Sequence, residues 1–131
     1  MITEEQIQAV VHRIVEGYAP DQIILFGSYA YGTPTEDPDL DLLVIKRDAE
    51  MKRVERSIAV WQLPWNAELP PMDILVRTPA EIVRAAGIAY SVATTAVQQG
   101  KLLYAAYQKL SVMTRLSQGR IRNYGKGVGA N

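Results

Sequence analysis

The stretch Leu40-Asp-Leu-Leu-Val-Ile45 constrains the fold more than any other part of the chain. A strand with one face in water alternates apolar and polar side chains, so a nearly continuous apolar run needs cover on both faces. The rest of the sequence supplies that cover. Thr3 caps a first helix and Gln6 completes a capping box. Ile7, Val11, Ile14, Val15 and Tyr18 then recur at helical spacing until Gly17 and Pro20 end the run. Gln22 to Phe26 is a short apolar strand that stops at Gly27, and Gly32 to Pro38, rich in Thr, Pro and acidic residues, is loop. Met51, Val54, Ile58 and Trp61 follow at spacings of three, four and three with charged residues between them, the pattern of an amphipathic helix.

Trp61 to Trp65 and Pro70-Pro71 mark a further loop, and Met72 to Val76 is another strand. Thr78-Pro79-Ala80-Glu81 opens a helix with a cap, a first-turn proline and an early acid. Helical sequence continues to about Gln99, broken near Gly87 and closed by Gly100. Leu102 to Met113 reads as a short strand or turn followed by a helix. Helices alternate with strands, which predicts one α/β domain over residues 1–105. Residues 106–131 are a C-terminal extension, a short helix and then a tail of glycines with Arg120, Arg122 and Lys126.

Composition narrows the function classes. Lys plus Arg equals Asp plus Glu at 14 each, so no overall field draws in nucleic acid or an anionic membrane, and no direct nucleic-acid binding is expected. Cysteine is absent, which removes thiol chemistry and fits a reducing compartment. The N-terminus lacks the basic start and apolar stretch of a signal peptide. The longest uncharged run, Ala85 to Gly100, falls short of the roughly 20 apolar residues of a membrane span. These features point to a soluble cytoplasmic protein. His12 lies in the first helix with nothing nearby to tune it, and reads as a partly exposed helical residue.

Three acidic residues stand apart from this background. Asp39 and Asp41 are two apart at the start of a strand, where such side chains share a face, so their carboxylates converge. Asp73 opens the strand Met-Asp-Ile-Leu-Val. If the two strands are neighbours, three carboxylates meet at one edge of the sheet. Crowded carboxylates must take up protons or bind a cation, and hard oxygen ligands favour Mg²⁺ or Mn²⁺. A shared carboxylate set can hold two such ions roughly 3.5–4 Å apart and clamp both oxygens of a phosphoryl displacement. Upstream, Gly27 lets the backbone approach a phosphate, Ser28 offers a hydroxyl, and a short helix from Tyr29 onward presents amide donors. One half binds phosphate and the other binds metal, which together describe nucleotidyl or phosphoryl transfer.

Gly27-Ser28, ten intervening residues and then Asp39-Leu40-Asp41 resemble the glycine-serine/paired-aspartate signature of the polymerase-beta-like nucleotidyltransferase superfamily. The compact length and the Met72-Asp73-Ile74-Leu75-Val76 strand resemble its minimal nucleotidyltransferase branch, and the similarity runs from about Thr3 to Tyr104. The resemblance implies a small mixed β-sheet flanked by helices. It implies that Gly27 and Ser28 contact the triphosphate of a nucleoside triphosphate, ATP foremost. Asp39 and Asp41 would ligate both of two Mg²⁺ ions or the nucleotide-bound one, with Mn²⁺ as a substitute. Asp73 would be the third carboxylate, helping ligate the second ion and accepting the proton of the attacking hydroxyl. Two positions depart from the family pattern: Pro38 stands where members often have Ser, and Tyr31 where many have Arg.

Proteins of this branch are commonly paired with a helical HEPN-type ribonuclease toxin, to which they act as antitoxin, in some cases by transferring AMP to its tyrosines. The resemblance therefore implies a protein acceptor, and an assembly that is homo- or hetero-oligomeric. Trp61, Trp65 and the stretch around Tyr104, Tyr107 and Leu110 are candidate docking surfaces. The same residues also accord with a stand-alone transferase acting on a small hydroxylated molecule such as an aminoglycoside. A third reading is a non-catalytic module that binds nucleotide or toxin.

Overall fold

The computed structural model describes residues 2–31, 39–47, 51–65, 69–88 and 91–106. In chain order the elements are α1 (Glu4–Tyr18), β1 (Gln22–Phe26), α2 (Ser28–Tyr31), β2 (Leu40–Ile45), α3 (Arg53–Trp61), β3 (Met72–Arg77), α4 (Pro79–Ala85), α5 (Val92–Gln99) and β4 (Lys101–Ala105). The sheet runs β3-β2-β1-β4. β1 is antiparallel to both β2 and β4, while β2 and β3 are parallel. The architecture is thus a mixed α/β sheet flanked by helices. The expected loop at Gly32 to Pro38 and the expected extension beyond residue 106, with Tyr107 and Leu110, lie outside the described residues.

The apolar run Leu40 to Ile45 is the centre of the molecule. Leu40, Leu42, Leu43, Val44 and Ile45 are all 0% exposed, and each such side chain contributes on the order of 1.5–3 kcal/mol through burial. Alternate residues go to different cores. Leu40, Leu42 and Val44 join Ile23 and Leu25 of β1 under α1, whose Ile7, Val10, Val11 and Ile14 complete that cluster. Leu43 and Ile45 join Ile24, Ile82, Ala93, Ala96 and Val97 under α4 and α5. The capping box read from the sequence at Thr3 and Gln6 is present, and the cap read at Thr78 proves to be a capping box with Glu81. Gly87 falls in the break between α4 and α5.

α3 forms where its periodicity predicts, but an amphipathic helix would be expected to bury its apolar stripe, and this one does not. Val54 is 71% exposed and Ile58 48%, with Met51 and Trp61 also open, whereas Arg56 and Val60 are buried. The reason lies in β3, an edge strand with backbone carbonyls facing away from β2. Unpaired edge carbonyls need donors or cover. The Ser57 hydroxyl donates to the Ile74 carbonyl at 3.0 Å and Arg56 reaches the Val76 carbonyl at 3.5 Å. The buried Arg56 charge is met by Glu81 at 2.6 Å, and Arg53 joins the same carboxylate at 3.3 Å. α3 therefore turns its polar side to the sheet edge and its apolar stripe outward. Among the described residues no helix is long and apolar enough to cross a membrane.

Candidate active site

One end of the sheet collects the residues singled out by the sequence. β1 ends there at Phe26, while β2 and β3 begin there at Leu40 and Met72. The parallel register pairs Asp41 with Asp73, and the antiparallel register pairs Phe26 with Asp41. Side chains paired across neighbouring strands share a face. Asp41 lies two residues before Leu43, and Asp73 two before Leu75, both of which pack toward α4 and α5. The period of two therefore turns both carboxylates to that side of the sheet. The start of β2 is also fastened to the residue before β3, with Leu40 N–H donating to the Pro71 carbonyl at 2.9 Å. That bond holds the two acidic segments in fixed relation.

Asp39 lies one residue outside β2 and is exposed, as is Asp73, while Asp41 is half-buried. Burial raises the affinity of the Asp41 carboxylate for a proton above the ordinary aspartate range, and the charges of Asp73 and then Asp39 push it further the same way. Asp41 thus feels both of the other carboxylates. Among the described residues no three or more His, Cys, Asp or Glu side chains form a ready-made metal cage. Mg²⁺ commonly binds through one or two carboxylates and completes its octahedron with water and substrate phosphate. Hard oxygen donors around a carboxylate whose negative charge is disfavoured fit a divalent cation, and Asp41 with Asp73 are the residues that would hold it.

Gly27 is the neighbour of Asp41 on the other side. Its φ of +75° is in the left-handed region, where a side chain is disfavoured. A Cβ there would collide with Oδ2 of Asp41 and lie 3.0 Å from its Cγ. The sequence suggested a glycine for phosphate approach, and the structure adds that this glycine makes room for the Asp41 carboxylate. The signal for that second role is the β1–β2 register, which no local motif encodes. After Gly27 the chain turns at once into α2, with Ala30 N–H donating to the Gly27 carbonyl at 3.1 Å. The backbone of Ser28 opens α2, while the side chains of Ser28 and Tyr31, and all of Pro38, lie outside the described residues. His12 is an exposed residue of α1, paired with Glu16 at 3.1 Å.

Residues 5–96 match the family model of the nucleotidyltransferase domain, a span that takes in α1 from its second residue, the Gly27 turn and all three carboxylates. A curated relative from Methanocaldococcus jannaschii, provisionally named a protein adenylyltransferase, is 56% identical over 34 residues. That stretch is 26% of this chain and 23% of the relative.

Proposed function

This chain belongs to the nucleotidyltransferase domain family, and from that premise we propose that it is a Mg²⁺-dependent transferase that moves a nucleoside monophosphate, AMP from ATP, to a hydroxyl on a partner protein. The observation that carries the reading is the register pairing of Asp41 with Asp73 directly beside the left-handed Gly27. In this reading Gly27 and Ser28 hold the triphosphate, and Asp39, Asp41 and Asp73 hold two divalent ions, Mg²⁺ or Mn²⁺. When bound, the metal neutralises charge on the phosphates and on the attacking and leaving oxygens. The acceptor oxygen forms a bond to the α-phosphorus as the bond from that phosphorus to the bridging oxygen breaks. Pyrophosphate leaves with the bonding pair, and the Asp73 carboxylate takes the hydroxyl proton. Asp41 keeps the carboxylate pair in line by its place in β2, between Gly27 and Asp73.

The protein acceptor is supported by the provisional name of the relative and by the outward stripe of α3. Met51, Val54, Ile58 and Trp61 stand exposed at helical spacing, the anchor pattern by which helical partners are gripped. A helical HEPN-type toxin, with this chain as its antitoxin, is the partner class we infer, in a cytoplasmic hetero-oligomer. The test is incubation with labelled ATP, Mg²⁺ and the protein encoded beside this chain. Label should pass to that protein and require Asp39, Asp41 and Asp73. Transfer that survives in the Asp41→Asn variant at near-normal rate would sink the carboxylate assignment. Label found on no protein, with a small hydroxylated molecule labelled instead, would replace the acceptor.

A further inference from the structure

α2 is a single turn of four residues, and a helix so short has no stability of its own in water. Its first residue and the preceding Gly27 are the phosphate half of the proposed site, so its orientation must be imposed from elsewhere. Part of the hold is packing, since Tyr29 and Ala30 lie against the core cluster beneath α1. The other part is directional. The Tyr29 hydroxyl accepts a hydrogen bond from the backbone N–H of Ile2 at 2.9 Å, across 27 positions of sequence. That length is close to the optimum for such a bond.

Ile2 is itself fixed from two sides. It immediately precedes Thr3, the N-cap whose reciprocal bonds with Gln6 close the capping box of α1. Ile2 and Ile7 occupy the N′ and N4 positions of a hydrophobic staple around that cap, and both are buried in one cluster. The Ile2 N–H is thus held by the rigid start of a 15-residue helix. The metal half of the site is held differently, by the β2–β3 pairing and the bond between Leu40 and Pro71. Neither involves α2.

We propose that Tyr29 is a positioning residue: its bond to the Ile2 backbone anchors the Gly27-Ser28 turn on the capped start of α1 and so sets the affinity of the site for nucleotide phosphates. This rests on the reading of Gly27-Ser28 as the phosphate half. The Tyr29→Phe variant keeps the packed ring and removes the acceptor. Ile2→Pro removes the donor from the other side, because proline has no N–H, while Ile2→Ala keeps the donor and loses the buried side chain.

The experiment measures two affinities for each variant, that for a non-hydrolysable ATP analogue and that for Mn²⁺ alone. Tyr29→Phe should weaken nucleotide binding about two- to tenfold, the effect of one net hydrogen bond, with Mn²⁺ binding unchanged. Ile2→Pro should reproduce the nucleotide loss and Ile2→Ala should not. The double variant Tyr29→Phe/Ile2→Pro should be no weaker than Ile2→Pro alone, since both remove the same bond. Nucleotide affinity unchanged in Tyr29→Phe overturns the proposal, as does a parallel loss of nucleotide and Mn²⁺ binding. A wild-type protein that binds Mn²⁺ but no nucleotide overturns the phosphate-half reading beneath it, a failure distinct from the other two.

Discussion

Replacing Gly27 by alanine should separate the stability of this fold from its catalytic competence. Two costs can be worked from the structure. The first is backbone strain: with φ at +75°, an L-residue in the left-handed region costs about 1–2 kcal/mol. For a domain of this size that lowers Tm by roughly 4–10 °C, against a total stability of order 5–15 kcal/mol. Nearly all molecules therefore stay folded at room temperature. The second cost falls on Asp41, whose Oδ2 occupies the space the new methyl group needs, with its Cγ only 3.0 Å and its Cβ 3.2 Å from that point. The carboxylate must swing aside by about an ångström, a misplacement that costs on the order of 10²-fold in rate, or about 2.7 kcal/mol of transition-state stabilisation.

The assay pairs urea unfolding with initial rates of transfer from labelled ATP. Gly87→Ala is the control, because a Cβ there meets nothing within 4 Å, and it should leave both readings near wild type. A Gly27→Ala protein that transfers at the wild-type rate would refute the argument that Asp41 needs this glycine. So would a loss of rate no larger than the unfolded fraction accounts for.

Asp41→Asn should raise the thermal stability of the metal-free protein at neutral pH while abolishing transfer. The folded state raises the proton affinity of Asp41, so ionising it disfavours the fold, and the penalty is present above the raised value. The difference between variant and wild type should therefore fade as pH falls from the raised value toward the ordinary aspartate value of 3.8, and be absent below it. Thermal melts from pH 3 to pH 8 check this, and Mn²⁺ should stabilise wild type far more than the variant. Glu81 titrates in the opposite sense. Burial alone would raise it, but hydrogen bonds from Arg56, the Thr78 N–H and Arg53, together with the Arg56 charge, bring it from 4.5 down to about 2. That shift corresponds to about 3 kcal/mol of stability at neutral pH, lost as pH falls from 4.5 toward 2, and Glu81→Gln should remove it, as acid-induced unfolding would show. Gln22 is 1% exposed and its Oε1 has no partner among the described residues. Gln22→Met should stabilise the protein by about 1 kcal/mol, read as a higher urea midpoint at constant slope.

Much of the fold was legible because its strongest signals are local. The continuous run Leu40 to Ile45 announces a doubly covered strand, and Thr3 and Thr78 announce their helices by side-chain chemistry that acts within four residues. What stayed hidden depends on partners distant in sequence. Periodicity located α3 but pointed its apolar face inward, because the edge carbonyls of Ile74 and Val76 and the carboxylate of Glu81, 25 positions from Arg56, cannot be read from the helix itself. The strand Lys101–Ala105 is short and pairs with β1 through a shifted register, so no alternation marks it cleanly. The carboxylates were identified as a set, while their inequality was not: only the structure shows Asp41 half-buried between exposed Asp39 and Asp73.

The spacing between Gly27 and Asp41 follows from the sheet. Antiparallel pairing of β1 with β2 ends with Phe26 opposite Asp41, so whichever residue follows Phe26 leaves the sheet against the Asp41 side chain. That residue must turn away steeply to begin α2 and must carry nothing beyond Cα, and glycine alone meets both demands. α2 (Ser28–Tyr31) then makes the first turn away from the sheet, and Asp39 stands one residue before β2. A glycine at the end of one strand and an aspartate at the start of the next thus form one structural unit. The parallel partner β3 adds Asp73 at the same level because its register with β2 begins one residue earlier, at Leu40 and Met72. A one-residue slip in that pairing would turn Asp73 to the opposite face, drive Ile74 and Val76 out of the core beneath α1, and uncouple both carboxylates. The apolar alternation of β3 that stabilises the fold is therefore what holds the acidic pair together against its own repulsion.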